Sequence, residues 1–144
     1  MKATGLYRMA AVLFVFFALG HTYGFLSLRV PSAEGRAVFD AMNSVHFTIH
    51  GADYSYGNFY RGFGLSCTVS MLFSAFLAWH LGELARTVPQ AIGALGWVFF
   101  VVQLAGLALS LKYFGGPPAT FSALAALCVG AAAWLGPQHS TPAS

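Results

Sequence analysis

Charge is what this sequence has least of. Eleven of its 144 residues are charged, seven Lys or Arg and four Asp or Glu. A soluble domain carries about 25%, against 8% here. That is too little to coat a water-soluble globule, so lipid must cover most of the surface. The net charge is +3, but the basic residues are scattered singly, which excludes the basic patch of a nucleic-acid binder. They read instead as anchors at membrane edges. Cysteine is scarce too, with only Cys67 and Cys128 present. Counting about 1.5 Å per residue from the ends of their apolar runs places them roughly 10 Å apart in depth. A disulfide needs Cα atoms within about 7 Å, so two buried, unpaired thiols are expected. The chain also lacks a nucleotide-binding glycine loop, a nucleophile elbow, a Cys-x-x-Cys pair and paired intramembrane carboxylates. Its one acid near a span is Glu83, at an end, which argues against a proton-driven transporter.

What the chain does have is long uncharged runs. Twenty residues separate Arg8 from Arg29, 21 separate Arg61 from Glu83, 25 separate Arg86 from Lys112, and no Lys, Arg, Asp or Glu follows Lys112. A helix needs roughly 20 apolar residues to cross the hydrocarbon core. The pattern predicts a single all-α domain, an integral membrane four-helix bundle with spans at about Tyr7–Leu28, Gly62–Leu84, Pro89–Leu111 and Pro118–Leu135. Lys2, Arg8 and the Ala18-Leu19-Gly20 sequence imitate a signal peptide. Apolar character continues to Leu28, however, so a retained helix is expected. Pro31 stops the first span. Ser32 then suits an N-cap, with Glu34 in the first turn and helical spacing through Val38, Met42, Val45 and Ile49. These features predict an amphipathic interfacial helix over about Ala33–His50. A loop over Gly51–Tyr60 follows, with Tyr54, Tyr56 and Tyr60 at headgroup depth. Gly115-Gly116-Pro117-Pro118 reads as a tight turn, and Pro137–Ser144 as a loose tail. Four spans put both termini on one side. Basic residues divide three against four between the two faces, so the leading Lys2 and Arg8 favour the N-terminus inside.

Lipid gives helices no hydrophobic reason to associate, so small residues mark their contacts. Gly62, Ser66, Ser70, Ser74 and Ala78 recur every fourth residue and predict a packing seam. Ser122, Ala126 and Gly130 repeat that spacing on the last span. By depth, His21, Ser70, Gln103 and Ser122 fall in one slab, one per span, and predict a polar layer. The layer is either a structural knot of hydrogen bonds or the floor of a pocket.

Of five histidines, His139 lies in the tail and His80 is expected to snorkel beside Glu83. His46 and His50 share one face of the predicted interfacial helix. With His21 they form a candidate metal or haem site, with Asp53 close by. The competing reading is two amphipathic residues at a wet interface and a hydrogen-bonded His21. No Glu follows His46 as a zinc-protease motif requires.

Two strings, Gly20-His21-Thr22-Tyr23-Gly24-Phe25 and Tyr60-Arg61-Gly62-Phe63-Gly64-Leu65, resemble those of a family of small, uncharacterised four-helix membrane proteins found in bacteria. The resemblance covers about Ala18 to Leu84. It implies the four-span topology and brings no activity. The glycines flanking both strings would permit a close approach of the first two spans. The functional expectation is a non-enzymatic binding protein or accessory subunit, partnered by lipid and by a second copy or a membrane complex. The alternatives are a histidine-based metal or haem redox enzyme and a carrier of a small amphipath.

Overall fold

In the computed structural model, residues 2–136 are described. Five α-helices, a short antiparallel hairpin and one 3-10 turn follow in the order α1 (Lys2–Leu26), α2 (Ala33–Ser44), β1 (His46–Ile49), β2 (Ala52–Ser55), α3 (Tyr56–Thr87), the 3-10 turn (Pro89–Ala91), α4 (Gly93–Tyr113) and α5 (Gly116–Leu135). Helices α1, α3, α4 and α5 are each long and apolar enough to cross a membrane, which marks a membrane protein. Large exposed side chains such as Phe73, Phe76, Val69 and Val101 dominate their outer faces. On a water-soluble protein such a continuous apolar surface would aggregate. The predicted tail and His139 lie outside the described residues.

Ala18–Ser70 forms one compact unit, and the described residues on either side of it form another. The second unit contains the main apolar core. Tyr7, Ala10 and Phe14 of α1 meet Ala78 and Leu81 of α3, Phe99 of α4 and Ala125, Val129 and Ala132 of α5. The buried residues of α5 are nearly all small, so its backbone can approach its neighbours closely. Gly130 lies under the Phe100 ring and Gly96 faces Ala133. Phe14 packs on Phe99 at 5.9 Å and Phe17 stacks on Phe121 at 5.3 Å. The third predicted span does not begin at Pro89. Pro89–Ala91 is a separate 3-10 turn, and α4 starts beyond it at Gly93, whose φ of +48° re-aims the chain.

Between α1 and α3 the chain departs from the predicted interfacial helix. Helix α2 starts as expected: Ser32 Oγ accepts from the Gly35 N–H at 3.0 Å, and Arg36 donates to the Pro31 carbonyl at 2.6 Å. It ends at Ser44 rather than His50. Asn43 and Ser44 turn their side chains back onto the carbonyls of Phe39 and Ala41, which competes with helix continuation. The next residues, Val45-His46-Phe47-Thr48-Ile49, are mostly β-branched or aromatic and favour a strand. His50 and Gly51 have φ of +51° and +82° and bridge the pair Ile49↔Ala52. Positive φ at both central residues is the geometry of a two-residue hairpin turn. The predicted Gly51–Tyr60 loop is therefore β2 followed by the first turn of α3. Ser55 Oγ accepts from the Asn58 N–H at 3.1 Å and caps that helix. With 32 residues, α3 measures about 48 Å, longer than the ~30 Å hydrocarbon core. Its first turns can extend into the interfacial layer.

Candidate functional site

The candidate site lies within Ala18–Ser70, where the end of α1, α2, the hairpin and the start of α3 converge. Two hydrogen bonds join α1 to α3 within this unit. His21 Nε2 lies 3.0 Å from the Gly64 carbonyl oxygen. A carbonyl only accepts, so Nε2 carries the hydrogen. One turn further along α3, Thr22 Oγ1 and Thr68 Oγ1 are 2.9 Å apart. Thr22 donates its single hydroxyl hydrogen to the Ala18 carbonyl at 2.8 Å, so Thr68 is the donor to Thr22. Gly64 makes this approach feasible: a Cβ there would overlap the Phe25 ring, whereas Gly20, Gly24 and Gly62 have nothing within 4 Å of an added Cβ. Of the glycines in the two strings, it is Gly64 that lets the helices close.

From this clamp an aromatic series runs to α2. His21 stacks on Phe25 at 5.8 Å, Phe25 packs on Tyr60 at 5.2 Å, and Phe39 meets Tyr60 edge-on at 6.2 Å. Beside it lies a cleft of about 180 Å³, lined among others by Phe25, Phe39, Met42, Asn43, Tyr60 and Arg61. Sites that enclose a drug-sized ligand usually measure about 300–1,000 Å³, so this cleft suits a headgroup or the end of a chain. Among the described residues Arg61 has neither an ion pair nor a hydrogen bond. Its guanidinium is a free fork of donors beside an apolar wall. Gly57 closes the back, where a Cβ would collide with the Asn43 amide.

The sequence-predicted residues are distributed differently. Ser122 is buried and pairs with Ser110, Oγ to Oγ at 3.1 Å. Ser70 is exposed and donates to the Ser66 carbonyl at 2.9 Å. Gln103, half-buried on α4, has no hydrogen bond among the described residues. His21 bonds backbone instead of any of these three. In the stripe on α3, Gly62, Ser66 and Ser70 are exposed, Ser74 is half-buried and Ala78 is buried. On α5, Ser122 and Ala126 are buried and Gly130 is half-buried.

The expected helical placement of His46 and His50 is corrected. His46 sits on β1 and His50 in the turn, so they share no helical face. His46 Nδ1 pairs with Asp53 Oδ2 at 2.6 Å across the hairpin. Their positions are diagonal, since Thr48 is the direct partner of Asp53. Both side chains are exposed. Among the described residues no group of three or more His, Cys, Asp or Glu could hold a metal ion. His80 stacks on Phe76 at 6.1 Å, while Glu83 engages Arg86 and, at 3.5 Å, Arg8. Cys67 is exposed rather than buried, Cys128 is buried, and both are free thiols.

Thr22, Thr68, Asn43 and Arg61 carry the geometry but do not stand out in the sequence. A threonine one residue from His21 was a legible signal for the clamp. Nothing in the spacing signals the cleft, because it depends on how α2 folds back. No family model, no curated protein and no solved structure matches the chain.

Proposed function

We propose that this chain is a non-enzymatic, multi-pass bundle whose interfacial cleft binds the anionic head of a small amphipath. The observation that carries this reading is Arg61, which lines the cleft beside Phe25, Phe39 and Met42 and has no carboxylate partner among the described residues. An unpaired guanidinium beside an apolar wall matches a carboxylate or phosphate attached to an alkyl chain. Tyr60 and Asn43 add polar groups at the rim. The small volume supports recognition of the head, with the tail continuing into lipid. On this reading the bundle lies in a bacterial inner membrane with four spans, both termini on the cytoplasmic side, and lipid, a second copy or a membrane complex as partners. Even span number and the leading Lys2 and Arg8 support that orientation.

The test is equilibrium binding of dodecanoate and dodecyl phosphate to protein in a non-ionic detergent, with dodecyl trimethylammonium as the opposite-charge control. Either anion should bind, the cation should not, and Arg61→Gln should weaken anion binding about tenfold or more, as expected for a charge-assisted hydrogen bond. Equal binding of cation and anion, or an unchanged Arg61→Gln variant, overturns the reading. Reporter fusions at the two termini check the orientation.

A further inference from the structure

A second surface, in the other unit, points to a different occupant. Helices α1 and α3 run antiparallel there and leave a groove of about 440 Å³. Its floor is Ala11 and Ala75, and its walls include Val12, Phe16, Phe76 and Trp79. The two alanines are buried, and the wall residues are 48–66% exposed. Large side chains therefore stand on either side of a low floor, and the groove between them is shallow and open along its length. Along α3 the lining extends from Leu72 to Trp79, roughly 10 Å at the helical rise. That accommodates several methylenes of an extended alkyl chain.

The groove has a charged end. Arg8 lies 5.2 Å over the Trp79 ring. Its only ion pair among the described residues is a 3.5 Å contact with Glu83, and Glu83 is held more closely by Arg86. Two guanidiniums thus share one carboxylate, leaving one positive charge in excess at the mouth. Tryptophan at that level suits the membrane interface. A groove with an apolar floor that opens on excess positive charge is complementary to a chain that carries a negative head.

We infer that the α1–α3 groove seats one acyl chain of an anionic phospholipid, with Arg8 holding the phosphate above Trp79. This surface is separate from the Arg61 cleft, and it concerns a resident lipid rather than the amphipath proposed there. The excess charge favours a phospholipid with net negative charge over a zwitterionic one, because a choline head would return a cation to a site that already has one.

The probes are phosphatidylglycerol and phosphatidylcholine with identical oleoyl chains, added to the detergent-purified full chain and read by native mass spectrometry. Phosphatidylglycerol should be retained roughly fivefold better, the worth of one guanidinium at an anionic surface. Arg8→Gln should remove that preference, while Arg61→Gln should keep it. Arg8 is exposed, so the substitution leaves the core intact. As an independent readout, phosphatidylglycerol with a diazirine in its acyl chain should label Phe16, Phe76 and Trp79 above Val101 and Leu109, which are exposed on α4. Equal retention of the two lipids, a preference that survives Arg8→Gln, or uniform labelling of all exposed faces overturns the inference. Failure of the Arg61 experiment leaves these readouts unaffected, because neither depends on that residue.

Discussion

The His21 imidazole and the Gly64 carbonyl meet at 3.0 Å, and a Cβ on Gly64 would overlap the Phe25 ring. The same glycine therefore offers its carbonyl and accepts a ring against its Cα. Gly64→Ala should force Phe25 out of its packing with His21 and Tyr60 and destabilise the protein by about 1–3 kcal/mol, the range for overpacking. Gly62→Ala, with nothing within 4 Å of the added methyl, should be neutral or stabilise by up to about 1 kcal/mol through helix propensity. Melting temperatures in one detergent check the pair. Equal effects would mean that Gly64 has no special contact.

The adjoining hydroxyl pair gives a quantitative expectation. Thr22 and Thr68 are 2.9 Å apart, and Thr68 is the donor. Thr22→Val, Thr68→Val and the double variant form a mutant cycle. Coupling between polar side chains of neighbouring membrane helices averages about 0.6 kcal/mol and reaches about 1.7. A value in that range is expected from denaturation of the four proteins. Zero coupling would leave the His21 bond as the only polar tie between α1 and α3 in this region.

The four long apolar helices were legible in the sequence because the length of a span is set by bilayer thickness. The hairpin was not. The spacing of Val38, Met42, Val45 and Ile49 continues a helical period by chance beyond Ser44, and the β-branched run with the His50-Gly51 turn outweighs it locally. The polar partners were only half legible. Counting residues gives an approximate depth but not the direction in which a side chain points, and the partner of Ser122 is Ser110, seven residues along α4 from the predicted Gln103. Small-residue stripes have the same ambiguity. The five positions on α3 looked stronger than the three on α5, yet the α5 stripe is the more buried within this chain.

The hairpin turn can be tested directly. Gly51 has φ of +82°, where an L side chain is strained, so Gly51→Ala should cost roughly 1 kcal/mol. His50, at +51°, already bears that strain, so His50→Asn or His50→Gly should be tolerated or mildly stabilising. Both effects should be visible as changed hydrogen-exchange protection across His46–Ser55. A stabilising Gly51→Ala would show that the segment is not a hairpin of this type.

The last relationship is a defect in the core. Tyr7 is fully buried, and its hydroxyl has no hydrogen-bond partner among the described residues. A Cβ on Gly96 would lie 2.7 Å from that oxygen and 3.1 Å from Ile92 Cγ2. An unpaired buried hydroxyl costs about 1–3 kcal/mol of desolvation. Tyr7→Phe removes the polar atom and keeps the ring, so it should leave stability unchanged or raise it by about 1 kcal/mol. Gly96→Ala alone should destabilise, because the oxygen must move and the core around it is closely packed. In the Tyr7→Phe background the nearest obstacle is gone and only the Ile92 contact remains, so the penalty of Gly96→Ala should shrink. The two substitutions should therefore be non-additive, with the double variant more stable than the sum of the single effects implies. Thermal denaturation of the four proteins in detergent measures it. A loss of about 1 kcal/mol or more on Tyr7→Phe would show instead that the hydroxyl is satisfied in the bilayer, by a water held between α1 and α4.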